Sequence, residues 1–75
     1  MRVNVRYFAT LRERKGCSGE EVDVPDGLTV GEIYRHLFQP ADEPVAYVIN
    51  RAVVSPSARP APDDELAFLP PVGGG

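Results

Sequence analysis

The sequence predicts an α+β roll. Three observations carry that prediction: a period-two alternation of apolar and polar residues at the start, a capped amphipathic helix in the middle, and β-branched runs around tight turns later on. Seventy-five residues are enough for one small hydrophobic core and too few for two, so residues 1–69 are expected to form a single domain. Residues 70–75 are expected to leave it as an extended, flexible tail.

In the opening MRVNVRYFAT, Val3, Val5, Tyr7 and Ala9 alternate with Arg2, Asn4 and Arg6, the pattern of a strand with one buried face. Phe8 falls on the polar face. It can serve either as packing beneath a loop or as an exposed contact. Thr10 to Lys15 suit a short helical turn that Gly16 would stop. EEVDVP then reads as a second strand, Val22 and Val24 inward, ending at Pro25 with a turn at Asp26-Gly27, so the first two strands make a hairpin.

LTVGEIYRHLFQP holds the clearest helix. Thr29 and Glu32 have capping-box spacing, Val30, Ile33, Tyr34 and Leu37 share a face, Gly31 weakens the first turn, and Pro40 is expected to stop the helix. VAYVI and AVV read as short strands about an Asn50-Arg51 turn. After the connection SPSARPAP, a last strand runs from Glu65 to Leu69, with Leu66 and Phe68 on one face and Ala67 and Leu69 on the other. Pro70 and Pro71 cannot donate ladder hydrogen bonds, so the sheet should end before them. This order permits the first and last strands to lie side by side and parallel, the β-grasp arrangement of ubiquitin-like domains, with one main helix across a mixed sheet. Ferredoxin-like and other small α+β folds share parts of the same order.

Composition narrows the function classes. The chain is 43% hydrophobic and 25% charged, with a net charge of -3. That balance argues against nucleic acid as the main partner, and no apolar run has the length of a membrane span. The alternating start is unlike a secretory signal, and a single cysteine, Cys17, fits a reducing compartment, so a cytoplasmic location is expected. Catalytic constellations are missing. His36 reads as an exposed helical residue and Cys17 as a turn thiol, with no third group nominated by spacing. Asp63, Asp64 and Glu65 read as a solvated turn, so no metal site is expected.

The remaining candidate is the end, FLPPVGGG. The two prolines favour an extended path, and Gly73, Gly74 and Gly75 present only backbone, so the segment could thread a narrow channel and offer its α-carboxylate without hindrance. Adenylation would convert that carboxylate to an acyl phosphate anhydride, and sulfur attack would then leave a thiocarboxylate. Nothing in the chain could perform these steps, which requires another enzyme. A glycine run alone reads as a flexible end; the PPV before it, entered directly from a strand, favours a working tail.

DDELAFLPPVGGG is similar to the C-terminal signature of the small subunits of molybdopterin synthase, ubiquitin-like sulfur carriers ending in an acidic DE, an apolar strand, PPV, a variable residue and Gly-Gly. RYFATLRE near the start and VIN before Arg51 extend the resemblance over most of the chain. Gly73 stands at the variable position. Two departures fall in one loop: the family often has Gly where Asp63 stands and Leu where Pro60 stands.

The resemblance implies a sulfur carrier that is no enzyme by itself. Gly75 would be adenylated by a ubiquitin-activating-type adenylyltransferase that uses ATP, with C-terminal AMP and then sulfur carried only transiently and no cofactor bound permanently. Gly74 would supply the narrow approach as the tail enters the large catalytic subunit and gives sulfur to a pterin precursor in molybdenum-cofactor biosynthesis. The family assembly is a heterotetramer with the small subunits at the ends. It implies an apolar docking patch at Phe8, Val53 and Leu69, continued by Pro70, Pro71, Val72 and Gly73; Arg12 reads first as an exposed arginine and second as a rim contact. Other uses of the same tail are a carrier for thiazole, cysteine or tRNA thiolation, a ubiquitin-like protein modifier, or a plain interaction module. Lys15, the lone lysine, would limit chain building without preventing single attachment.

Overall fold

The structure is a computed structural model and describes residues 1–71; Val72, Gly73, Gly74 and Gly75 of the expected tail lie outside the described residues. The elements are β1 (Arg2–Tyr7), α1 (Ala9–Lys15), β2 (Gly19–Asp23), α2 (Val30–Leu37), β3 (Ala46–Ile49), β4 (Ala52–Val54) and β5 (Glu65–Leu69). They form one mixed sheet of order β2-β1-β5-β3-β4. The β1–β2 and β3–β4 hairpins are antiparallel, β5 lies antiparallel to β3, and β1 pairs parallel with β5, Val5 opposite Leu66 and Tyr7 opposite Phe68. This is the β-grasp roll.

One face of the sheet makes the core. Val3, Val5 and Tyr7 of β1 and Leu66 and Phe68 of β5 are buried against Leu11 of α1 and Val30, Ile33 and Tyr34 of α2. Tyr34 is the hub of an aromatic cluster, its ring centroid 5.5 Å from Phe38, 6.0 Å from Tyr47 and 5.2 Å from Phe68. Such tilted and edge-on pairs add to the area they bury. Both core phenols find acceptors: Tyr34 Oη donates to the Glu43 carbonyl at 2.7 Å and Tyr7 Oη to Glu20 Oε2 at 2.7 Å. Burial and the Glu20 carboxylate beside it push the Tyr7 phenol well above its ordinary range, so it stays a neutral donor.

Three boundaries differ from the sequence expectation. The alternation of β1 ends at Tyr7, and Ala9 opens α1 with φ 51°. The carbonyl of the extended Phe8 accepts from the amides of Leu11 at 3.1 Å and Arg12 at 3.3 Å, and this turn puts the larger Leu11, fully buried, in the core. Val24 lies one residue past β2 yet is buried as expected. The main helix ends at Leu37, ahead of Pro40, because Phe38 adopts an extended conformation and turns its ring into the aromatic cluster.

One end of each helix carries the chemistry that its sequence promised. Gly16 closes α1 in the left-handed region (φ 75°), its amide donating to the Arg12 carbonyl at 2.8 Å. At the start of α2, Thr29 Oγ1 accepts from the Glu32 amide at 3.1 Å, and Glu32 Oε1 accepts from the Thr29 amide at 2.9 Å. Gly31, which the sequence shows only as a helix weakness, has a packing reason: a Cβ there would lie 3.0 Å from the Pro56 carbonyl oxygen, to which the Gly31 amide donates at 2.9 Å. The Lys15 ammonium rests 5.0 Å from the Phe38 ring centroid and 5.9 Å from that of Tyr7.

The two departures from the family motif both lie in the loop before β5. Asp63 has φ 70°, a conformation that glycine adopts without strain, and Pro60 is buried. Asn50 ties this loop to the β3–β4 turn: its Oδ1 accepts from the Glu65 amide at 2.9 Å and its Nδ2 donates to Asp64 Oδ1 at 3.0 Å. A side chain therefore holds the entry to β5 and the tip of the neighbouring hairpin together.

Thr29→Ala should lower the unfolding free energy by about 1 kcal/mol in chemical denaturation, the usual worth of a helix N-cap. The hydrogen bonds from Thr29 hold the Glu32 carboxyl below its ordinary 4.5, so its contribution is full above that value and is lost as pH falls through the lowered one. Glu32→Gln keeps the reciprocal bond without the titration, and denaturation below pH 4.5 should show a shallower acid loss in that variant. Gly31→Ala, favourable by helix propensity, should instead cost about 1–3 kcal/mol because the connection at Pro56 must shift.

Candidate functional site

The second face of the sheet carries the site. Register sets its rows: Arg6 of β1 stands opposite Ala67 of β5, Ala67 opposite Val48 of β3, and Val48 opposite Val53 of β4. In the next row Leu69 stands opposite Ala46. Phe8, two residues beyond Arg6 in an extended chain, emerges on this same face. Period-two geometry thus sends Tyr7 and Phe68 into the core and their neighbours Phe8 and Leu69 outward.

Phe8, Val53 and Leu69 are the large apolar side chains left exposed among the described residues, at 39%, 76% and 38%. The sequence had nominated these three as a docking patch. Phe8 and Leu69, with Val48 and Ala67 between them and Arg6, Arg51 and Glu65 at the rim, line an open depression of about 290 Å³. Val53 flanks that depression through its pairing with Val48. Arg6 lies between ring and carboxylate, its guanidinium 5.9 Å from the Phe8 centroid and 3.9 Å from Glu65 Oε2.

A second depression of about 270 Å³ continues from Leu69 to Pro71, along Pro44, Val45 and Ala46. Leu69 is common to both, so the apolar surface runs unbroken from Phe8 to the last described residue. The two prolines divide: Pro71 is exposed and lines the second depression, whereas Pro70 is buried, a departure from the expectation that both project. Regular pairing stops at Leu69, as the missing proline donors require. Val72, Gly73, Gly74 and Gly75 fall outside the described residues.

Arg12 lines neither depression. His36 is exposed on α2, and Cys17 is a free, half-buried thiol packed against the core cluster. Among the described residues no three His, Cys, Asp or Glu side chains are grouped to hold a metal ion, and no helix is long and apolar enough to cross a membrane. Sequence reasoning missed Arg6, Val48, Arg51 and Ala67. Their signal was present in the alternation of β1, β3 and β5, but it identifies one face only once the strand order is known.

The sequence matches the ThiS family over residues 5–75. The chain belongs to this family. A molybdopterin synthase sulfur carrier subunit of Mycobacterium tuberculosis is 33% identical to it over 84 residues, covering 100% of this chain and 99% of the relative. Small archaeal modifier protein 1 of Haloferax volcanii superposes with a TM-score of 0.79 at 28% identity, over 95% of this chain and 98% of that one. A Helicobacter pylori structure described as the complex of subunits 1 and 2 of molybdopterin-converting factor shares the fold over 100% of both chains, with a TM-score of 0.64 at 24% identity. This ThiS-family chain is thus a ubiquitin-like sulfur carrier in type, with the β-grasp fold and the resemblance expected of it.

Neighbouring positions on β5 should separate fold from surface in this ThiS-family protein. Phe68→Ala should cost about 3–5 kcal/mol in urea unfolding, as for a buried aromatic. Leu69→Ser and Val53→Ser, which leave that core untouched, should each change it by less than about 1 kcal/mol.

Proposed function

We propose that this protein is the small, sulfur-donating subunit of a molybdopterin synthase. The single observation that supports this most is the continuous apolar surface from Phe8 through Leu69 to Pro71, which leads a docked partner directly to the tail. The name of the Mycobacterium tuberculosis relative supports the same assignment, and in Helicobacter pylori a chain of this fold occurs with a second subunit.

In this reading the carboxylate of Gly75 attacks the α-phosphate of ATP within a ubiquitin-activating-type adenylyltransferase, forming acyl-AMP and releasing pyrophosphate. A sulfur donor then displaces AMP, and the acyl group becomes a thiocarboxylate. Gly73 and Gly74 bring no side chain to obstruct either active site, and the thiocarboxylate sulfur is a better nucleophile than the oxygen it replaces. The chain docks through Phe8, Val53 and Leu69 on the large catalytic subunit, with Pro70, Pro71 and Val72 directing the tail to the bound pterin precursor. Sulfur passes to the pterin, and hydrolysis of the acyl bond returns the Gly75 carboxylate. The work of this chain is presentation, and activation and transfer belong to its partners.

A second reading as a protein modifier is favoured by the likeness to the Haloferax modifier. The two share the activated intermediate and differ in the acceptor, a lysine amine in place of sulfide. Co-expression with the activating enzyme and a sulfur donor should give, in the intact mass of the protein, the increase that replaces one oxygen by one sulfur. Deletion of Gly75 should abolish both that increase and molybdopterin formation while leaving the thermal unfolding midpoint unchanged. Carboxylate that stays unmodified in the full chain, or activity that survives the deletion, would overturn the carrier reading. Gly75 recovered in isopeptide linkage to other proteins would establish the modifier reading.

A further inference from the structure

The tip of the β3–β4 hairpin is built in an unusual way. Asn50 and Arg51 both have positive φ, 49° and 70°, the geometry of a two-residue turn whose second position favours glycine. Asparagine tolerates that conformation well; a long side chain at the second position is strained by it. Asn50 is also fixed by side-chain bonds to Asp64 and Glu65, so the turn holds its neighbour in one place. That neighbour lines the apolar depression between Phe8 and Leu69.

Its charge is uncompensated. Of the two arginines that line the depression, Arg6 lies within 3.9 Å of Glu65, whereas Arg51, like Arg12, Arg35 and Arg59 elsewhere, makes no ion pair among the described residues. With Arg6 and Glu65 offsetting one another at the rim, the depression keeps the positive charge of Arg51, on a chain whose net charge is -3. Burial of this face by a partner would strip water from the guanidinium, a costly step unless an acceptor meets it. Its planar fork suits a carboxylate.

We infer that Arg51 selects the partner at this face, pairing with a carboxylate on the large subunit beside the apolar side chain that fills the depression. The inference rests on the carrier reading above and names one contact within it.

Titration calorimetry of the full chain with the large subunit of the same organism, at several salt concentrations, tests it. Arg51→Gly should raise or preserve the melting temperature, since glycine relieves the turn, yet weaken binding about tenfold and flatten its salt dependence. Arg51→Glu should weaken binding further, and Arg51→Lys should recover part of it. Arg51→Gly and Arg51→Glu variants that bind like the unsubstituted chain, with the same salt dependence, would overturn the inference and leave the carrier reading intact. Failure of the unsubstituted, folded chain to bind the large subunit would instead overturn that reading, and this contact with it.

Discussion

The parallel pairing of β1 with β5 is the constraint on which the rest of the molecule depends. It sets the first strand beside the last at the centre of the sheet, Asn4 opposite Glu65 and Tyr7 opposite Phe68. Parallel neighbours cannot be joined by a tight turn, so the chain between them must travel to the far end and return. That journey is used for the helix that covers the core and for the β3–β4 hairpin that closes the other side. It also brings Phe8, which follows β1, next to Leu69, which ends β5, on one face. No local segment could make this apolar surface, because Phe8 and Leu69 come from opposite ends of the sequence.

The same strands serve two masters by alternation. Inward residues of β1 and β5 meet the aromatic cluster around Tyr34, and outward residues meet whatever covers the sheet. The inner side satisfies its polar atoms internally: no buried side-chain nitrogen or oxygen among the described residues lacks a partner. The outer side is left apolar at its centre and charged at its rim, the pattern that the proposed docking role calls for. Charge at the rim is partly cancelled between Arg6 and Glu65, so the apolar centre is not buried beneath a strong field of one sign.

Much of this was legible in the sequence wherever one local interaction decides the outcome. The capping box at Thr29 and Glu32, the glycine stop at Gly16 and the end of pairing at Leu69 follow from neighbouring residues alone. Phe8 and Leu69 could be read outward from the alternation around them, whereas Val53, also exposed, was nominated only by the family resemblance. What escaped depends on distant chain. Ala9 looks like the next strand residue until Leu11 is seen to fill the core, and Phe38 looks helical until the cluster it joins is assembled. Gly31 seems only a weakness without Pro56 against it, and the sign of φ at Arg51 and Asp63 is not written in residue types that would announce it. Pro70 shows the same limit, for whether a proline projects depends on what lies behind it.

Adjacent residues of β5 face opposite ways, Phe68 into the core and Leu69 onto the apolar depression of the other face. A slip of one position in the pairing of this strand would exchange them, burying the contact and exposing the ring. A misregistered molecule would therefore lose its apolar outer surface in the same event that spoils its interior. A partner docking through Leu69, as proposed above, would accept only chains whose central strand is correctly seated, and association would become an inspection of the fold.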